Sequence, residues 1–130
     1  MNNQTTRIGA TRDEWSHFDL VLGVGSALLP VVANQKATIS DRSSLKKIGK
    51  TPSKYNKEGH ISGFTEWPKH HATDKDISDW SDQPDYGICV ITRQIRGIDA
   101  DINDPVLSAE VQAFIADHLG IKLPKRYRSN

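Results

Sequence analysis

Asp99-Ala-Asp101 holds two carboxylates at positions i and i+2. On an extended chain that spacing turns both side chains to one face. Placed side by side, two carboxylates repel, and each raises the other's pKa. A divalent cation relieves the repulsion. Mg2+ (or Mn2+) is held by one or two carboxylates together with substrate phosphates. The chemistry such a pair serves is phosphoryl or nucleotidyl transfer, with the metal clamping the attacking and leaving oxygens. Asp99 and Asp101 are therefore the candidate catalytic and metal-binding residues. The plainer alternative is that they end a strand and cap the next helix. Asp99, Asp101, Asn103 and Glu110 also carry oxygens at the first, third, fifth and twelfth places of a calcium loop. Its sixth place requires glycine and is Asp104, and the preceding CVITRQIRGI reads as strand where an EF-hand has a helix.

A second candidate is the stretch SLKKIGKTPS, Ser44 to Ser53. It ends in the Gly-Lys-Thr of a phosphate-binding P-loop, but Ser44 stands where the first glycine belongs. Pro52 disfavours the α conformation at Thr51, where the helix of a P-loop starts. The stretch reads as a basic loop, with Lys50 facing a phosphate as a point charge or simply facing solvent. Gly23-Val-Gly25 begins a dinucleotide fingerprint, but Leu28 replaces its third glycine and the order is helix then strand. A loop between the two elements is the better reading.

Charge is balanced overall, with a net charge of +1, so no global basic field announces nucleic acid. Locally it is uneven. Arg42, Lys46, Lys47, Lys50, Lys54 and Lys57 succeed one another with no acidic residue between them, and Lys122, Lys125, Arg126 and Arg128 lie near the C-terminus. Lys50, Lys54, Lys125, Arg126 and Arg128 are the candidate phosphate contacts, and Trp67 or Tyr127 could stack on a base. A solvated surface and a core tryptophan are the plain alternatives. The single cysteine, Cys89, excludes an internal disulfide and suits a reducing cytosol. Its neighbours Gly-Ile-Cys-Val-Ile make it a small hydrophobe rather than a nucleophile. The N-terminus has no apolar run of the signal-peptide kind, and Leu20 to Ala33 is too short and broken to span a bilayer.

These residues need elements to position them, and the pattern of the chain gives a set. Residues 1–11 form a polar arm, and 12–130 form one domain. Residues 12–22 make a helix that buries Trp15, Phe18 and Leu22. Ser26 to Ala33 is a short buried strand, placed at an edge or bulge by Pro30. Residues 34–66 are loop-rich. Asp74 to Trp80 is a helix with Ile77 and Trp80 on one side. Tyr86 to Thr92 and Ile95 to Ile98 are strands of an antiparallel hairpin turning at Arg93-Gln94. Residues 106–119 are a helix, capped by Asp104, started by Pro105 and stopped by Gly120, with His118 beside its C-terminal dipole. The fold class is α/β (α+β): a small mixed or antiparallel sheet flanked by helices.

Several of these features recur in one order. ALLPVV precedes Gly49-Lys50-Thr51-Pro52, then Gly59 and Gly63 leading to Trp67, the helix of Ile77 and Trp80, Pro84-Asp85-Tyr86-Gly87-Ile88, Gly97-Ile98-Asp99-Ala100-Asp101, and Leu123-Pro124-Lys125-Arg126. From about Ala27 to Arg128 the chain resembles the N-terminal part of the bifunctional DNA primase/polymerase domain of phages and plasmids, in the archaeo-eukaryotic primase superfamily. The resemblance implies a nucleotidyltransferase fold in which Asp99 and Asp101 bind the catalytic Mg2+ or Mn2+, with DNA or nucleotides as partners. The family also carries a Ser-x-His motif and a further metal-binding aspartate downstream of the basic stretch. The chain ends at Asn130, and none of its histidines stands in Ser-x-His. The expectation is an apparently truncated, catalytically incomplete primase-like module in the cytoplasm of a host cell, away from membranes. The alternatives are a stand-alone phage or prophage protein that inhibits a host defence complex (anti-CRISPR-like), with a host protein or ribonucleoprotein as partner, and a magnesium- or calcium-binding domain of other descent.

Overall fold

Leu28–Val32 (β1) is a run of five buried residues, and the core forms around it. The computed structural model describes residues 6–97 and 101–122. Its elements are mixed α and β: α1 (Arg12–Ser16), β1, β2 (Ser53–Tyr55), β3 (Ile61–Gly63), α2 (Asp74–Asp82), β4 (Tyr86–Val90) and α3 (Pro105–Leu119). The chain divides into two compact units, Met1–Arg96 and Gly97–Asn130.

In the first unit β1 pairs antiparallel with β4, from Leu28 opposite Val90 to Val32 opposite Tyr86. Ile91 N–H donates to Ala27 O at 2.7 Å, and Ala33 N–H donates to Asp85 O at 2.8 Å. Those two pairs fix the alternation, so Leu28, Pro30 and Val32 direct their backbone groups away from β4. Pro30, which has no N–H to give, therefore costs the ladder nothing, as expected of an edge position. On that far side Val32 N–H donates to the buried Ser53 Oγ at 3.0 Å.

β2 and β3 form a second antiparallel pair, Ser53 opposite Gly63 and Tyr55 opposite Ile61. This hairpin lies in the region expected to be loop. Its turn is built by Asn56, whose Oδ1 accepts from the N–H groups of Glu58 and His60, both at 3.0 Å, and by Gly59 at φ +76°. The left-handed conformation is open to glycine at no steric cost.

The helix expected over 12–22 is α-helical only to Ser16. His17–Val21 continues as a π-helical turn, closed by Leu22 N–H on His17 O at 3.1 Å. The wider turn rotates the residues after it. Trp15 is buried and Phe18 half-buried, but Leu22 is exposed rather than in the core, and so are Leu20 and Val21. α2 forms over Asp74–Asp82 and buries Ile77 and Trp80, as their spacing requires. Thr73 and Asp76 close a reciprocal capping box at its start. Trp15 and Trp80 meet at 6.1 Å, Phe64 meets Trp80 edge-on at 5.9 Å, and the rings join β1 to both helices. Each such side chain removed from water contributes about 1.5–3 kcal/mol.

The N-terminal arm is packed from Arg7 onward. Ile8 and Gly9 N–H donate to Pro84 O at 3.0 and 2.7 Å, and Ala10 N–H donates to Tyr86 O at 2.8 Å. A Cβ at Gly9 would collide with the Tyr86 backbone, which explains the glycine.

β4 is antiparallel to β1, not to residues 95–97. Thr92 and Arg93 form a turn, and no strand is formed over Ile95 to Gly97, while Ile98 lies outside the described residues. Arg93-Gln94 lacks the glycine or asparagine that a two-residue hairpin turn demands. The Arg93 side chain is engaged elsewhere, donating to Pro68 O at 3.0 Å, His70 O at 2.7 Å and Ser26 O at 3.4 Å.

In the second unit α3 runs from Pro105 to Leu119. Asp104 Oδ1 accepts from Val106 and Leu107 N–H, both at 2.9 Å, and Gly120 ends the helix at φ +65°. The expected cap, start and stop all hold. Among the described residues no helix is long and apolar enough to cross a membrane.

Candidate nucleic-acid interface

The basic stretch beginning at Arg42 does not trail over the surface. Ser43 N–H closes a turn on Ser40 O at 2.9 Å, and Arg42 N–H reaches Ser40 Oγ at 3.4 Å. Leu45 and Ile48 are partly buried and pack on the core, and Leu45 lies beside Gly63 of β3. Two apolar anchors thus hold a loop whose remaining side chains are cationic or small and polar. After Lys50 and Thr51 the chain enters β2 through the buried Pro52, not a helix, so the Gly-Lys-Thr of this loop is not a P-loop.

Between this loop and the segment after β3 lies an open groove of about 570 Å3. Arg42, Ser43, Ser44, Leu45 and Lys46 of the loop line it, together with Thr51, Pro52, Ser62, Gly63, Phe64, Thr65 and Trp67. Among the described residues no carboxylate lines it. Asp41 and Glu66 flank it in sequence, and Glu66 is paired with Lys69 at 3.6 Å. The segment that carries Phe64 and Trp67 is tied down. Phe64 N–H donates to Pro52 O at 3.0 Å, and Arg93 holds the carbonyls of Pro68 and His70 on either side of Lys69. Glu66 adopts φ +53°, a conformation side chains rarely take, immediately before Trp67.

The two aromatic residues of the groove differ. Lys54 Nζ sits 4.9 Å from the Phe64 ring centroid, a cation–π distance, while His70 and Trp80 meet the same ring edge-on at 4.9 and 5.9 Å. Phe64 is thereby committed to the protein. Trp67 is 39% exposed, and among the described residues no ring contact involves it.

A polar post holds the β2–β3 hairpin to β1–β4. Tyr55 Oη donates to Asp85 Oδ2 at 2.5 Å, Asn34 Nδ2 donates to the same oxygen at 3.0 Å, and Tyr86 Oη accepts from Tyr55 N–H at 2.8 Å. Burial pushes the Tyr55 phenol up, and its hydrogen bond to the Asp85 carboxylate pushes it further. Burial also raises Tyr86 and the half-buried Cys89 thiol. A raised thiol is a poor nucleophile, in keeping with the apolar role expected of Cys89.

Of the residues singled out in the sequence, Lys54 sits over the ring of Phe64 but does not itself line the groove. Lys50 is exposed one residue before Thr51 and does not itself line the groove. Asp101 is exposed in the second unit. Asp99, Lys125, Arg126, Tyr127 and Arg128 lie outside the described residues. The strand on which Asp99 and Asp101 were to share a face is not formed over Ile95 to Gly97. Among the described residues no group of three or more His, Cys, Asp or Glu is placed to hold a metal ion. Arg42 and Lys46 stood in the sequence only as members of a charge run. Leu45 and Ile48, spaced i and i+3 inside that run, were the signal that it is anchored.

Comparison of the chain with protein-family models, with curated proteins and with solved structures gives no match.

Proposed function

We propose that the chain is a nucleic-acid- or nucleotide-binding module of the primase/polymerase-like kind its sequence resembles. The supporting observation is the groove of the first unit, lined by Arg42 and Lys46 and, among the described residues, by no carboxylate. Cations held on an anchored loop meet phosphates without first paying for ordering of the backbone. Sequence-independent binding through phosphates is the behaviour such a surface supports, and it weakens as salt rises. The proposed binding needs no metal.

The test is fluorescence anisotropy of a labelled single-stranded oligonucleotide at low and physiological salt. Affinity should fall as salt rises, and the double variant Arg42→Ala/Lys46→Ala should bind more weakly at every salt concentration. Failure to bind at low salt would overturn the proposal.

A further inference from the structure

We infer that the groove takes a single strand of nucleic acid, with one unstacked base laid on Trp67 and the adjoining phosphates against Arg42 and Lys46. This rests on the nucleic-acid reading and names the form of ligand. The groove lining offers two chemistries, the cations of the loop and the indole of the segment after β3. Stacking on an indole needs the face of a base, and a duplex hides those faces. A duplex can bring only its backbone to Arg42 and Lys46.

Trp67 is the aromatic available for this role. Phe64 already carries Lys54 over its ring and His70 and Trp80 at its edges. The indole is exposed in the groove lining, and the Arg93 bonds to Pro68 and His70 carbonyls fix the segment that carries it. A platform held before binding loses little entropy when a base arrives. The groove volume of about 570 Å3 lies within the roughly 300–1,000 Å3 range of sites that enclose a small ligand, so it suits one nucleotide unit of a passing strand.

Free nucleoside triphosphates are a poorer fit. A triphosphate site is commonly a glycine-rich loop opening a helix, or carboxylates holding Mg2+. Here the loop opens a strand, and among the described residues no carboxylate lines the groove.

The experiment uses the full chain, a labelled oligothymidylate, a duplex of equal length, and ATP as competitor. The single strand should bind at least tenfold more tightly than the duplex, and ATP should not displace it at millimolar concentration. Trp67→Ala should weaken single-strand binding about tenfold, Trp67→Phe should restore most of it, and neither should change the salt slope. Arg42→Ala/Lys46→Ala should flatten that slope by roughly 1.4, two phosphate contacts at about 0.7 each. Circular dichroism checks that each variant folds. Equal duplex and single-strand affinity with Trp67→Ala silent overturns the inference and leaves the nucleic-acid reading standing. Displacement by ATP at equal potency also overturns it. Binding of none of the probes removes both.

Discussion

α2 is nine residues long and largely polar, yet it buries Ile77 and Trp80. α3 is fifteen residues long and rich in apolar side chains, and none of its residues is buried. Both have a side-chain N-cap, Thr73 on α2 and Asp104 on α3. The difference lies in what the apolar residues meet. Ile77 and Trp80 form one narrow stripe that meets Trp15 and Phe64. Leu107, Val111, Phe114 and Ile115 also fall along one side of their helix, at i, i+4, i+7 and i+8, yet Val106, Leu107, Phe114 and Leu119 are all at least half exposed. Caps and propensity suffice to end and start a helix. Burial needs a stripe matched to a surface that faces it.

The two helices should differ most at their largest aromatic residues. Trp80→Ala should cost about 3–5 kcal/mol in urea-induced unfolding, the usual range for emptying a buried aromatic site. Phe114→Ala, on a side chain 70% exposed, should stay within about 0.5 kcal/mol. An equal loss from both would mean that the two helices are equally packed.

The caps sharpen the comparison at a smaller scale. Thr73→Ala should lower global stability by about 1 kcal/mol, because α2 belongs to the core of the first unit. Asp104→Ala should leave the urea midpoint of that unit in place and reduce helical ellipticity alone. A midpoint shift from Asp104→Ala would show that α3 unfolds together with the first unit.

The smallest effect depends on pH. Burial favours the protonated Asp76 carboxyl, but hydrogen bonds from the Thr73 backbone and hydroxyl, together with His70 at 3.3 Å, outweigh it and hold the group below its ordinary value of 3.8. A carboxylate depressed by folding stabilises the protein above its unfolded pKa, and the gain is lost as pH falls through the folded one. The stability gap between wild type and Asp76→Asn, measured in urea at pH 6 and pH 3, should therefore narrow in acid by less than about 1 kcal/mol. A gap that widens in acid would contradict this assignment.

The features legible in the sequence were those specified locally. The buried run of β1, the Ile77 and Trp80 spacing, and the Asp104, Pro105 and Gly120 punctuation of α3 each depend on neighbours within a turn or two. The partner of β4 was not legible. Tyr86 to Val90 reads equally well against Ile95 to Ile98 or against β1, and the choice rests on contacts nearly sixty residues away in sequence. The β2–β3 hairpin was missed because its strands are three residues each and its turn residues, Asn56 and Gly59, stand three apart in a polar loop without the adjacent Asn-Gly pair that marks a tight hairpin. The π-turn after Ser16 shifts Leu22 outward without any change in hydrophobic spacing. At the groove the charges could be read, but their anchoring by Leu45, the engagement of Phe64 and the exposure of Trp67 are products of tertiary packing.

Pro30 has a consequence beyond the pairing of β1 with β4. The far edge of β1 is buried, where an N–H group cannot turn to water and each one left unpaired costs free energy. Pro30 has no N–H to leave over, and Ser53 Oγ satisfies the next, at Val32. The proline thereby spares the core a donor that it would otherwise have to satisfy.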